Sequence, residues 1–220
     1  MKLEVCAHSI ESALNAQNGG ADRIELCVEL SVGGLTPSYG MIKMAKKLLD
    51  IPVYVLIRPR AGDFNYSLLE LEIMKEDILF CAEQRVDGVV IGALTEKNEI
   101  HEQMTQDLLK TARYMDVTFH RAFDQSGNQF EALDTLKELG IQRILTSGGQ
   151  GNALDNRDQL EALIDVAAED LIIMPAGGIR PENIKVIIDT GCQEIHSSCM
   201  TQTSVHSELK VVKQMKNLIR

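Results

Sequence analysis

One feature constrains this chain more than any other: a regular alternation of two kinds of segment. Eight short β-type runs recur from one end to the other, each followed by a stretch with apolar residues at helical spacing. The runs are residues 3–6, 23–27, 53–59, 88–92, 117–121, 143–147, 171–176 and 194–198. A strand that leads into a helix and then another strand returns in the same direction, so the sheet is expected to be parallel. Eight such units in 220 residues predict an α/β chain folded as one (β/α)8 TIM barrel, a single domain over residues 1–220. Closure of the sheet also leaves no exposed edge. A doubly wound open sheet is the alternative, but no G-x-G-x-x-G follows the first run.

Local signals mark several helices. Leu69, Ile73, Ile78, Leu79 and Ala82 recur at helical spacing in the third crossover. Thr36-Pro37 reads as a cap followed by a first-turn proline, and Asn128 is expected to cap a helix that Gly140 closes. No linker or low-complexity tract divides the chain.

In a barrel of this kind the site lies at the C-terminal ends of the strands, and inward residues alternate along each strand. One parity collects Glu4, Cys6, Arg23, Glu25, Cys27, Arg58, Thr118, His120, Glu194 and His196. The other is apolar: Leu3, Val5, Ile24, Leu26, Val55, Ile57, Val117, Phe119 and Ile195. The apolar set is expected under the helices, which puts the charged set inside the barrel, where isolated charges are costly. Pairing of Glu4, Glu25 and Glu194 with Arg23 and Arg58 would make a structural network. Two histidines and two thiols in the same set add proton-transfer and soft-metal chemistry that such a network does not require.

The loops extend this reading. "IRPRAGDFNYS" places Arg58, Arg60 and Asp63 at the mouth, and "FHRAFD" places Arg121 and Asp124 beside His120. "TSGGQG", with Ser147 and Gly148, and "AGGI", with Gly177 and Gly178, are two glycine-rich turns, and "HSSC" adds Ser198. Gly177-Gly178 is either a tight turn or an anion seat backed by the helix expected after Pro181. An enzyme acting on a small anionic or phosphorylated substrate would use His120 as general acid or base with Glu25 as its carboxylate partner. In that scheme Arg58 and Arg60 clamp the substrate, and Gly177, Gly178 and Ser198 seat its phosphate.

Composition excludes other classes. The formal charge of −10 argues against a nucleic-acid surface, and no apolar run is long enough to span a membrane. Glu4 interrupts what would be the apolar segment of an export signal, so a cytoplasmic location is expected. Five cysteines without C-x-x-C spacing point to reduced thiols, with Cys81 in the middle of a helix and in the core.

The segments "EVC", "GGADRIELC", "GGLTPSYG", "IRPRAGDFNYS", "DGVVIGAL", "VTFHRAFD", "ILTSGG" and "EIHSSC" resemble, in order and over about residues 3–199, the CutC family of copper homeostasis proteins. The resemblance implies a TIM barrel, a cytosolic homodimer and copper handling, with copper(I) or a small anion as ligand. Cys6 and Cys27 match the family's paired cysteines at the ends of strands one and two. Copper(I) favours thiolate and imidazole ligands, and strands ~4.8 Å apart let two inward thiols share one ion, with His8 or His120 as further donors. Two buried structural thiols are the alternative. Ala176 departs from the resemblance, which implies a third glycine in that loop.

Overall fold

The computed structural model describes all 220 residues, and in it the alternation becomes a barrel. The strands are β1 (Lys2–Ala7), β2 (Arg23–Leu26), β3 (Val53–Leu56), β4 (Gly88–Ile91), β5 (Asp116–Phe119), β6 (Arg143–Thr146), β7 (Ile172–Pro175) and β8 (Glu194–Ser197). The helices between and after them are α1 (Ile10–Gly19), α2 (Tyr39–Leu48), α3 (Leu68–Glu83), α4 (Glu102–Ala112), α5 (Gln129–Glu138), α6 (Arg157–Ala167), α7 (Ile184–Ile188) and α8 (Leu209–Leu218). All strand pairs are parallel, in the order β7-β6-β5-β4-β3-β2-β1-β8. β7 and β8 lie side by side without a hydrogen-bonded ladder, so the barrel is nearly closed.

The parity expected from the sequence holds. Leu3, Val5, Ile24, Leu26, Val55, Ile57, Val117, Phe119 and Ile195 all belong to one core of 54 buried residues, the shell between strands and helices. Two small clusters stand apart from it: Cys6, Cys27, Tyr54, Leu56 and Val90, and Leu145, Met174 and Ala176. Each fully buried aliphatic or aromatic side chain contributes on the order of 2 kcal/mol, so the shell holds most of the folding energy.

Several local expectations shift. Strand three ends at Leu56, because Arg58 turns its backbone N–H to Thr36 Oγ1 (2.8 Å). Thr36 is thereby committed to that loop, and Ser38 caps α2 instead. In α3 the buried stripe is Leu71, Met74, Ile78 and Cys81, which leaves Leu69 and Ile73 exposed. Asn128 caps α5, and Gly140 follows it at φ 82°, as expected. The C-terminal α8 packs on α1 and β1 of the same chain.

The lower barrel is filled by ions. Arg23 bonds to Glu4 and to Glu194 Oε2 (2.5 Å), and Arg143 Nε reaches the same Glu194 oxygen at 2.6 Å. All four are buried. Tyr54 slides its ring against both guanidinium groups, at 5.0 and 5.6 Å, and donates its hydroxyl to Asp116. Burial would raise the Glu4 carboxyl, but Arg23 and His196 outweigh it and hold it at about 2. Removing one member of such a network strands its partner as an uncompensated charge. Glu194→Gln should therefore cost about 3–5 kcal/mol in urea unfolding, and Arg143→Met in the same chain should return part of it.

Candidate functional site

Above the ion layer the barrel opens into a cavity of about 360 Å³. Its floor comes from β1, β2 and β8. The register sets Cys6 beside Glu25 and Glu4 beside His196, so the three strands bring a thiol, a carboxyl and an imidazole together. One donor atom from each of Cys6, Glu25 and His196 lies within 4.8 Å of the others, all buried. Cys27, one residue past β2, places its sulfur 3.4 Å from that of Cys6.

His196 bridges two acids, with Nδ1 2.7 Å from Glu4 and Nε2 3.6 Å from Glu25. Burial opposes its charge, but the Cys6 side chain and the two carboxylates outweigh it and hold His196 well above the ordinary histidine range. Glu25 is pushed up to about 7, mainly by burial, which the nearby His196 only partly offsets. Contact with Cys27, together with burial, raises the Cys6 thiol well above its usual value.

His120 stands on the opposite wall. Gly92 makes room for it, since a β-carbon there would lie 2.4 Å from the imidazole. Its Nδ1 accepts the Ala122 N–H at 3.1 Å, while Nε2 is buried without a partner. Burial and the Arg58 guanidinium press its pKa down to about 3, so the ring is neutral.

The partnership expected between His120 and Glu25 is therefore absent, because Glu25 faces His196. Arg60, expected as a clamp at the mouth, does not line this cavity. It is tied to Glu70, Asp63 and the Asn65 carbonyl, over the Tyr66 ring, and so anchors its loop to α3. Asp124 accepts from Thr146, from the Ser147 amide and hydroxyl and from Arg121, which makes it a brace for the loops after β5 and β6. Ser147 and Gly148 sit within that brace and do not line the cavity. Arg58, Gly177, Gly178 and Ser198 do line it.

The helix expected behind the glycine pair is only five residues, starting at Ile184, and offers no anion seat of its own. His8 lies away from the cavity, bonded to the Val205 carbonyl. Sequence reading placed His196 inward but did not join it to the thiols. The alignment of Cys6 with Glu25 and of Glu4 with His196 depends on register between strands far apart in the chain.

Eight parallel strands with a polar interior and a cavity at their C-terminal ends define a TIM-barrel protein with its site in the standard place. The sequence model of the CutC family matches residues 1–201. A human copper homeostasis protein cutC homolog is 47% identical over 197 residues, covering 89% of this chain and 72% of the human one. The family protein CutC of Serratia proteamaculans is 44% identical over 90% of this chain and 78% of its own. A crystal structure of CutC from Streptococcus agalactiae superimposes with a TM-score of 0.86 at 37% identity, covering 90% of this chain and 98% of that one. The chain belongs to the CutC family.

A carboxyl with a raised pKa binds its proton more tightly in the folded state, so the stability it contributes is lost as pH rises from the unfolded value towards about 7. Glu25→Gln removes that loss. Its stability relative to the native chain should improve by at least about 1 kcal/mol between pH 5 and pH 8, measured by urea midpoints.

Proposed function

We propose that this chain handles copper(I) in the cytoplasm, taking the ion at Cys6 and Cys27 with His196 as third donor. One observation carries the reading: two thiols 3.4 Å apart, beside an imidazole, on the floor of a cavity open to small molecules. Thiolate and imidazole are the donors that copper(I) favours, and Cys6 stands next to both the Cys27 thiol and the His196 imidazole, so that a shift of Cys27 towards His196 would complete the set. Glu25 is a harder oxygen donor and suits a different part. His196 must surrender its proton to bind a metal, and Glu25, 3.6 Å away and raised to about 7, is positioned to receive it. The names of the human and mouse relatives support the same role. All five cysteines are free thiols, in keeping with a reducing compartment.

Because bound thiolate and neutral imidazole displace protons, affinity should rise with pH and binding should release protons, measured by calorimetry in buffers of different ionisation enthalpy. In competition with a copper(I) chelator, Cys6→Ser and Cys27→Ser should lose the ion. Glu25→Gln should weaken binding by about 10-fold or more, and Cys81→Ser should change nothing. Unaltered affinity in the Cys6→Ser, Cys27→Ser double variant removes this reading.

The second part of the proposal is a homodimer through α3. Leu68, Leu69 and Ile73 form an exposed apolar face there that the chain's own core does not use. Sedimentation velocity should give a dimer, and Leu69→Glu should give a monomer. A monomeric wild type excludes it.

A further inference from the structure

The upper cavity is larger than a metal ion needs, and its unsatisfied groups are all of one kind. Arg58 is 6% exposed, yet no carboxylate faces it. Its Nη1 donates to the carbonyls of Val32 (2.7 Å) and Gly34 (3.0 Å) and its Nη2 to that of Gly62 (2.9 Å), while Nε is buried without a partner. This contrasts with Arg23 and Arg143, each held by carboxylates a few ångströms below. His120, 5% exposed, accepts at Nδ1 from Ala122, which leaves the proton of the neutral ring on the partnerless Nε2. Arg58 and His120 flank the same Phe64 ring, at 4.8 and 4.9 Å.

Across the cavity, the β7 loop turns through Gly177 (φ 94°) and Gly178 (φ 72°). The amides of Gly177, Gly178, Ile179 and Ser198 make no hydrogen bond within the protein. Arg180, beside them, spends one nitrogen on the Met200 carbonyl and has no acidic partner. Buried donors without acceptors are costly and rare. Here the two side chains that carry them, Arg58 and His120, line the cavity opposite a run of free amides, in a chain whose net charge is −10. Successive amides in a glycine turn form a concave seat for an anion. A group that only accepts hydrogen bonds and carries negative charge satisfies every one of these positions.

We propose that the cavity binds a small organic oxyanion, a phosphate ester or a carboxylate. Its charged group rests on the Gly177–Ile179 amides and Arg180, and its acceptor oxygens meet Arg58 Nε and His120 Nε2. A volume of about 360 Å³ lies in the range that small-molecule sites occupy. The site is independent of metal, since none of these donors can ligate a cation while protonated.

The test uses metal-free protein after chelation and desalting, at constant ionic strength set with chloride. Probes are inorganic phosphate, glycerol 3-phosphate and malonate. Expected is a saturable rise in melting temperature beyond matched chloride, with ¹⁵N shifts centred on the amides of Gly177, Gly178, Ile179 and Ser198. Arg180→Gln, an exposed change that leaves the core untouched, should weaken binding at least fivefold, and His120→Phe should weaken it further. Response to phosphates alone or to malonate alone assigns the oxyanion and supports the site. No shift beyond chloride overturns the proposal, as does binding that Arg180→Gln leaves intact while amides elsewhere move. Failure of the copper experiments would leave these outcomes unchanged.

Discussion

Arg23 lies between Glu4 and Glu194 inside the barrel, and Arg143 completes the set from β6. This buried pairing is the condition on which the rest of the structure depends. Charge taken out of water is tolerable only when it is matched and hydrogen-bonded. Four strands supply the partners, so the ladders must bring the inward residues of β1, β2, β6 and β8 to one height for the interior to be neutralised. The network gives little net stability over an apolar filling, but it penalises slipped pairings severely. It also sets the field above it. Glu4 is held ionised by Arg23 and in turn keeps His196 charged, so the chemistry of the thiol floor begins with a structural arginine.

The upper barrel follows the opposite rule. Below, cations and anions are matched; above, Arg58, Arg180 and the loop amides face the cavity without acidic partners. The division falls between two heights of the same strands: Arg23 and Glu25 are two residues apart on β2, one locked in the network and the other facing the cavity. The period of the strand puts both inward, and height along it decides which is structural.

Much of this was legible in the residues themselves. Strand number, the inward parity and the apolar shell follow from alternation, which is a local property of the chain. The helix cap at Asn128 is likewise local. What could not be read depended on geometry across the barrel. Glu25 and His120 share a parity, but the cavity separates them and His196 takes the carboxyl instead. Arg60 and Arg58 are neighbours in a basic loop, yet one faces α3 and the other the cavity. Arg143 and Tyr54, at the starts or middles of strands, carried no motif, and only packing brings them to Arg23 and Glu194.

The floor of the cavity draws Cys6 from the first strand and His196 from the last, joined through the Glu4–His196 contact between residues 192 apart in sequence. A ribosome releasing this chain in order completes every helix but one before the final strand arrives. Until then β1 has one unpaired side, and Glu4 and Cys6 have no histidine beside them. Late closure of long-range pairs is slow relative to local structure. The site therefore forms only once β8 has been added, and a chain cut short before β8 carries its thiols without the chemistry that surrounds them.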